Sequence, residues 1–574
     1  MYIPDMSEAS RTQVFASPNL VEAFAERVPQ WPNQVAILGD GGNGRSFTYA
    51  ELLQAVSRLS AGLRDPAFAA VESVAILSEN RPEWPLAYLA VLAAGKTVVP
   101  IDSYLKPLEI LYVLNHSGAK LAFVSGRFEE ELSQLAPSVL IYSLESDSRQ
   151  TWRSLFRDES NGDSGKTERP AVVIYTSGTT GNPRGVLLSH RNLLSNLEGI
   201  QAALSFGQSD RFLSVLPLHH AFEATCGFLT PLMAGATIVY ARSFRSKEIL
   251  QDIATNRITL MCGVPLLYDK MYHAMRRGIN AAPRHRRWLF RFLYVVSSVG
   301  WKAGFRWGKP LFAKVRQKAG LGTIRMLVSG GAAIPPEIAR FFNLLGIDFI
   351  QGYGMTECSP VISVNRPSDI TFASVGPPLP NVEVKIDQPD DTGVGEIMVR
   401  GGCVTSGYRA NPAKTAELLR DGWLHTGDIG CIRDRHLYIT GRSKNVIVSA
   451  AGKNIYPEEI EEKLLESPYI LETVVFGRKK EGRQGEEVRA IIVPDLEQFR
   501  AEYDLVTADS DPDLLKRVIG EAVETVNGQM AEFKRISSYI VQVQELEKTS
   551  TKKVKRYVYN RSDADGSPAG GGVV

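Results

Sequence analysis

Val172-Val173-Ile174-Tyr175-Thr176-Ser177-Gly178-Thr179-Thr180-Gly181-Asn182-Pro183-Arg184-Gly185-Val186 is an apolar, β-branched run that breaks into a polar turn. After Tyr175, eleven residues hold four hydroxyls, three glycines and one cation. Glycines let backbone amides approach an anion closely, and hydroxyls donate to phosphate oxygens. Arg184 adds a fixed positive charge. A Ser/Thr-rich surface turn is the plainer reading, but this density directly after a buried strand points to a phosphate loop. Two other Gly-rich segments compete and fail. Gly39-Asp40-Gly41-Gly42-Asn43-Gly44 has the dinucleotide spacing, yet no helix opens at once behind it. It reads as a hairpin turn between Val35–Leu38 and Phe47. In Gly95-Lys96-Thr97 the lysine and threonine enter a strand, not the helix a nucleotide loop needs.

Similar β-branched runs recur on both sides of the loop: 74–77, 97–101, 121–124, 237–240 and 326–328. They are apolar on both faces, as strands covered by helices require. Helical patterns, such as 84–93 and 107–115, separate them. The expected fold class is α/β: a large, layered, multi-sheet N-terminal domain with parallel strands. Residues 143–170 are polar and read as a surface excursion. Beyond residue 441 a small α+β pattern follows: helix 457–466, strands 473–476 and 489–493, helix 513–527. Residues 560–574 read as a disordered tail.

Composition narrows the function classes. In 574 residues, Lys+Arg 65 against Asp+Glu 63 leaves a net charge of +2, which argues against charge-driven nucleic-acid binding. The five cysteines (226, 262, 358, 403, 431) show no metal-ligand or redox spacing. The N-terminus lacks the apolar stretch of a signal peptide, and no run of about 18 apolar residues could span a bilayer. A cytoplasmic protein is expected.

The loop resembles the phosphate loop of the adenylate-forming (AMP-binding) superfamily, and the resemblance continues in order from about residue 18 to 558. Leu216-Pro217-Leu218-His219-His220-Ala221-Phe222-Glu223 resembles the family's aromatic/His segment beside the acyl pocket. Val328-Ser329-Gly330-Gly331-Ala332-Ala333 resembles its adenine loop, and Gln351-Gly352-Tyr353-Gly354-Met355-Thr356-Glu357 its strongest signature. His425-Thr426-Gly427-Asp428 and Thr440-Gly441-Arg442-Ser443-Lys444 resemble the ribose and hinge segments. Ser449 to Pro457 resembles the loop that meets the thiol. Glu547 to Arg556 departs from the usual Pro-Lys-Thr-x-x-Gly-Lys at Glu547 and Lys552.

The resemblance implies roles. Thr176, Ser177, Gly178, Thr179, Thr180, Gly181 and Arg184 would hold phosphates, and Gly330, Gly331, Ala332 and Tyr353 the adenine. Thr356 would bond the α-phosphate and Glu357 would hold Mg²⁺. Asp428 and Arg442 would bind ribose, and His220 would line the acyl pocket. Lys444 would be the hinge, Gly452 would pass the pantetheine arm, and Lys553 would be the adenylation lysine, with Lys552 and Lys548 as alternatives. The implied domains are 1–443 with ATP, Mg²⁺ and acyl pocket, a mobile lid at 444–560, and the tail at 561–574.

The implied reaction is ATP-dependent activation of a medium- to long-chain fatty acid as an acyl-adenylate and its transfer to coenzyme A. Long-chain fatty acid–CoA ligases resemble the chain most closely. An acyl carrier protein is the alternative acceptor, and a non-catalytic membrane-associated protein retaining the fold is the alternative of another class. Arg284 to Lys318 contains ten Lys or Arg residues, no Asp or Glu, and many interleaved aromatics. That composition suits peripheral contact with an anionic membrane on its inner face. A packed helix pair with a charged outer side is the plainer reading.

Overall fold

The computed structural model describes residues 15–42, 44–145, 150–158, 169–176, 183–449, 453–479, 485–503, 511–548 and 554–559. Two sheets organise the large N-terminal domain. The first has six strands in the spatial order Leu140–Ser143, Ala119–Val124, Ser73–Leu77, Thr97–Ile101, Val172–Thr176, Arg184–Leu188. Its neighbours run parallel until the last pair, which is an antiparallel hairpin. The second has eight strands: Val361–Val364, Asp348–Gly354, Met326–Ser329, Leu260–Gly263, Arg211–Ser214, Thr237–Tyr240, Val35–Leu38, Ser46–Thr48. Its interior is parallel and both edge pairs are antiparallel. Strands covered on both faces must be apolar throughout, and Ser73–Leu77 and Thr97–Ile101 are buried at every position. The enclosed helix Glu83–Ala93 is likewise buried almost all round.

Residues 382–442 add an antiparallel sheet, in which Trp423–Arg433 pairs with Gly395–Gly401, Leu419–Arg420 and His436–Arg442. The small C-terminal domain has its own three-stranded sheet: Ile470–Lys479, Glu486–Pro494 and Ser538–Val541. Helices Pro457–Leu464 and Pro512–Gln529 cover it around a core that includes Ile460, Val475, Ile492 and Ile519. The mixed α/β class expected from the alternating pattern is the one observed.

Three local readings meet the structure directly. Val35–Leu38 and Ser46–Thr48 form an antiparallel pair around the Gly39–Gly44 segment, so it is a hairpin connection. Lys96 is buried, and its Nζ donates to the carbonyls of Phe68 at 2.9 Å and Val71 at 2.7 Å. Its charge closes a turn and does not face a ligand. Of the stretch 143–170, the described residues are less superficial than the polarity of the stretch suggests. Trp152 and Leu155, on the short helix Trp152–Leu155, are buried in the main core, because two large apolar side chains anchor an otherwise polar segment. No helix among the described residues is long and apolar enough to cross a membrane.

Candidate active site

The hairpin Val172–Thr176/Arg184–Leu188 sets Thr176 directly opposite Arg184. Ser177, Gly178, Thr179, Thr180 and Gly181 lie outside the described residues. The edge of this hairpin is extended by residues 405–409. Leu187 N donates to Gly407 O at 3.0 Å, Arg409 N donates to Gly185 O at 2.8 Å, and Val186 bridges Tyr408. That pairing carries Tyr408 to the loop, where the Arg184 guanidinium lies 5.8 Å from its ring centroid. The Tyr408 hydroxyl donates to Glu357 Oε1 at 2.7 Å. One tyrosine therefore joins the phosphate-loop cation to the expected magnesium ligand.

Thr356 and Glu357 open the short turn Thr356–Cys358 behind strand Asp348–Gly354. The turn is clamped from several elements. Thr405 N donates to Glu357 O at 2.8 Å, Asn196 Nδ2 donates to Cys358 O at 3.2 Å, and Thr225 Oγ1 donates to Ser359 O at 2.9 Å. Glu357 is buried, and among the described residues its side chain accepts a hydrogen bond at Oε1 alone. Glu357 belongs to neither group of three acid or His side chains close enough to hold an ion, namely Asp102/His219/His220 and Asp387/Glu396/His425. A single carboxylate fits magnesium carried by phosphates, because Mg²⁺ keeps most of its oxygen ligands from water and substrate.

Four residues before Glu357, Tyr353 turns to a second cluster. Its hydroxyl donates to Asp428 Oδ2 at 2.6 Å, and Arg442 Nε lies 2.9 Å from Asp428 Oδ1. Asp428 and Arg442 are cross-strand partners. The Asp428 charge raises the Arg442 pKa above its ordinary value, and burial followed by that same charge raises the Tyr353 phenol. The preceding turn is pinned by Glu396, which accepts from Gly427 N at 3.0 Å and lies 3.1 Å from His425 Nδ1. Each Asp428 oxygen keeps a second lone pair for a diol.

The Gly330–Ala332 turn leaves strand Met326–Ser329, whose neighbour in parallel register is Asp348–Gly354. Both strands end on the same side, so the turn and Tyr353 stand together. Gly331 has φ +88°, and Gly331 and Ala332 are exposed. A Cβ on Gly330 would lie 3.0 Å from the Phe222 ring. That contact links the turn to the His219–Glu223 segment. The His219 and His220 rings are 4.2 Å apart, and His219 Nε2 lies 3.3 Å from Asp102 Oδ1. Glu223 is fully buried, accepts from Ser214 Oγ at 2.5 Å, and finds no partner for Oε2 among the described residues. Burial pushes its carboxyl up to about 8.

Lys444 is exposed in the turn Ser443–Asn445, two residues past the end of the strand that carries Arg442. Gly452 and Lys553 lie outside the described residues, as does Lys552. Lys548 is described. It is paired with Glu472, and with Glu545 at 2.8 Å. Burial opposes its charge, but those carboxylates outweigh it and raise the pKa. Lys548 is thus a strut of the small domain.

Sequence reasoning named Arg184 but missed Tyr408, Arg409 and Lys414 beside it. A cavity of about 280 Å³ is lined by His116, Arg184, Arg409 and Lys414, with Tyr112 and Tyr408 among its other walls. Burial, then Arg409, lowers the His116 pKa, and its Nδ1 lies 2.8 Å from Tyr175 Oη. Three permanent cations around one cavity suit a polyanion. No local pattern announced this site, since Arg184 and Lys414 come from segments far apart in the chain.

A family model described as AMP-binding enzyme matches residues 24–409, and one described as AMP-binding enzyme C-terminal domain matches residues 459–553. "Long chain acyl-CoA synthetase 6, peroxisomal" from Arabidopsis thaliana is 32% identical over 490 residues, covering 77% of this chain and 68% of that protein. "Long-chain-fatty-acid--[acyl-carrier-protein] ligase AEE15, chloroplastic", also from Arabidopsis thaliana, is 28% identical over 537 residues, covering 79% and 73%. The solved structure of ATP-bound MatB from Rhodopseudomonas palustris superposes with a TM-score of 0.75 at 24% identity, covering 95% of this chain and 98% of that one.

Proposed function

The chain belongs to the AMP-binding enzyme family, and from that premise we propose that it joins a medium- to long-chain fatty acid to coenzyme A by way of an acyl-adenylate. The observation that carries the reading is the pair of clusters joined by residues 353–357: Arg184–Tyr408–Glu357 on one side, Tyr353–Asp428–Arg442 on the other. A cation, a hard carboxylate and a diol-accepting carboxylate on one wall match the triphosphate, the metal and the ribose of MgATP.

In the first half-reaction a carboxylate oxygen of the acid attacks the α-phosphorus. The bond to the β-phosphate oxygen breaks and pyrophosphate leaves. Glu357 would hold Mg²⁺, which when bound offsets phosphate charge. Thr356 would donate to the α-phosphate. Thr176 to Gly181 with Arg184 would cradle the tail, and the cationic cavity would receive it. Gly330 to Ala332 and Tyr353 would face adenine. Positioning and charge compensation supply most of the acceleration for such transfers. Lys553, on the lid 444–560, would neutralise charge between the acid and the α-phosphate. In the second half-reaction the thiol sulfur attacks the acyl carbon, the bond from that carbon to the phosphate oxygen breaks, and AMP leaves. The lid would turn about Lys444, withdraw Lys553 and bring Gly452 to the pantetheine arm. His220 would border the acyl chain.

An acyl carrier protein remains the second acceptor, favoured by the carrier-protein ligase among the relatives. The deciding experiment is a carboxylate panel crossed with coenzyme A and holo-carrier protein, read as AMP release. Long-chain acids with coenzyme A should give the highest kcat/KM. Higher values with carrier protein would replace the acceptor, and no acid-dependent ATP–pyrophosphate exchange at all would indicate a non-catalytic relative. Lys553→Ala should abolish adenylation yet spare thiolysis of supplied acyl-adenylate. Equal loss of both halves would remove Lys553 from its assigned role.

A further inference from the structure

The basic aromatic segment 284–318 is not uniform once folded. Phe312 and Arg316 are buried, and Arg316 donates to the backbone carbonyls of Gly346 and Lys309. Arg306 lies 3.7 Å from the Trp301 ring centroid. Helix Arg284–Lys302 places Phe290, Leu293 and Tyr294 against the second core beside Phe312 and Phe341. These residues are a packed helix's inner side, as the plainer reading of the segment expected.

The outer side is different. Trp288, Phe292, Val295 and Val299 follow i, i+4, i+7, i+11 spacing, which is one stripe of a helix. They are 67%, 52%, 60% and 59% exposed. Trp288 and Phe292 stack at 5.7 Å, so the aromatic pair is preformed. Leu289 flanks the stripe, and Phe305 and Trp307 stack at 5.4 Å beyond the helix end, both exposed. Over these eleven steps the stripe runs roughly 16 Å. Arg284, Arg291 and Lys302 are exposed along one edge of it. No acidic residue occurs between 284 and 318. Such a face is costly in water and suits a medium that takes apolar side chains and carries negative charge just above them. An anionic bilayer surface meets both conditions. The helix is not long and apolar enough to cross it.

We propose that helix Arg284–Lys302 lies in the surface of an anionic bilayer, with Trp288, Phe292, Val295 and Val299 inserted and Arg284, Arg291 and Lys302 on lipid phosphates. The contact is tested by sedimenting the full-length protein with phosphatidylglycerol/phosphatidylcholine vesicles and with phosphatidylcholine vesicles alone. Binding to the anionic vesicles is expected, falling at least tenfold in Phe292→Asp and in the double variant Arg284→Glu/Arg291→Glu, and weakening as salt rises. ATP–pyrophosphate exchange with a water-soluble acid should be unchanged in Phe292→Asp, which keeps this proposal separate from the catalytic reading. Equal binding to neutral vesicles, no binding to anionic ones, or a Phe292→Asp protein that binds as well as the parent would overturn it. So would a dimer in sedimentation equilibrium that Phe292→Asp dissolves, or holo-carrier protein binding lost in the same variants, since either would assign the face to protein.

Discussion

Glu357 and Glu223 are both buried in the large domain, and they are surrounded in opposite ways. Glu357 receives the Tyr408 hydroxyl, and the Arg184 guanidinium lies 5.8 Å from the centroid of that ring. The side chains found next to it donate or carry positive charge. Glu223 receives Ser214 Oγ and otherwise sits among Cys226, Cys262 and Tyr240, with no partner for Oε2 among the described residues. Burial alone does not mark a functional acid. What separates the two acids is the set of donors and cations that comes with the burial of Glu357.

The contrast can be broken by substitution. Glu357→Gln keeps the shape and removes the charge, so acid-dependent ATP–pyrophosphate exchange should fall by about a hundredfold or more, the scale of losing one electrostatic group at a reacting centre. The melting temperature should barely move. A variant that retains exchange would place Glu357 outside the chemistry. Tyr408→Phe removes one hydrogen bond to a charged group and should lower exchange about tenfold. An unchanged rate would mean that the Tyr408 hydroxyl bonds Glu357 without holding it in place. Glu223→Gln should change exchange least, by under about threefold if its role is structural. Its effect is on stability. Burial pushes the folded carboxyl up to about 8, well above the ordinary carboxyl range, so the folded state binds more protons in that window. Parent stability should therefore fall as pH rises from about 5 to 8, by up to about 1.4 kcal/mol per unit. Glu461, which burial pushes up to about 7, adds a slope of the same sign, so Glu223→Gln should make the slope shallower in chemical denaturation, and parallel slopes would reject the assignment.

The same contrast separates what could be read along the chain from what could not. Strand Val172–Thr176 was legible because its apolar β-branched residues are consecutive. Asp428 and Arg442 were legible as separate motifs, and the antiparallel register of two strands made them a pair. Tyr408 was invisible because its partners, Glu357 and Arg184, lie 51 and 224 residues away and meet it through an edge pairing no local pattern encodes. Lys548 looked equivalent to its neighbours until Glu472, 76 residues upstream, was seen to hold it.

Read alone, the amino-acid order determined the α/β class, the polar loop, the order of the motifs and the basic aromatic character of 284–318. Each of these is a property of residues close in sequence, carried by periodicity, turn chemistry or charge. The tertiary structure alone decided which aromatics of that segment face outward, which glutamate meets donors, and which lysine is committed to a carboxylate. Those outcomes depend on strand register and helix rotation, where a shift of one residue exchanges the buried side for the exposed one.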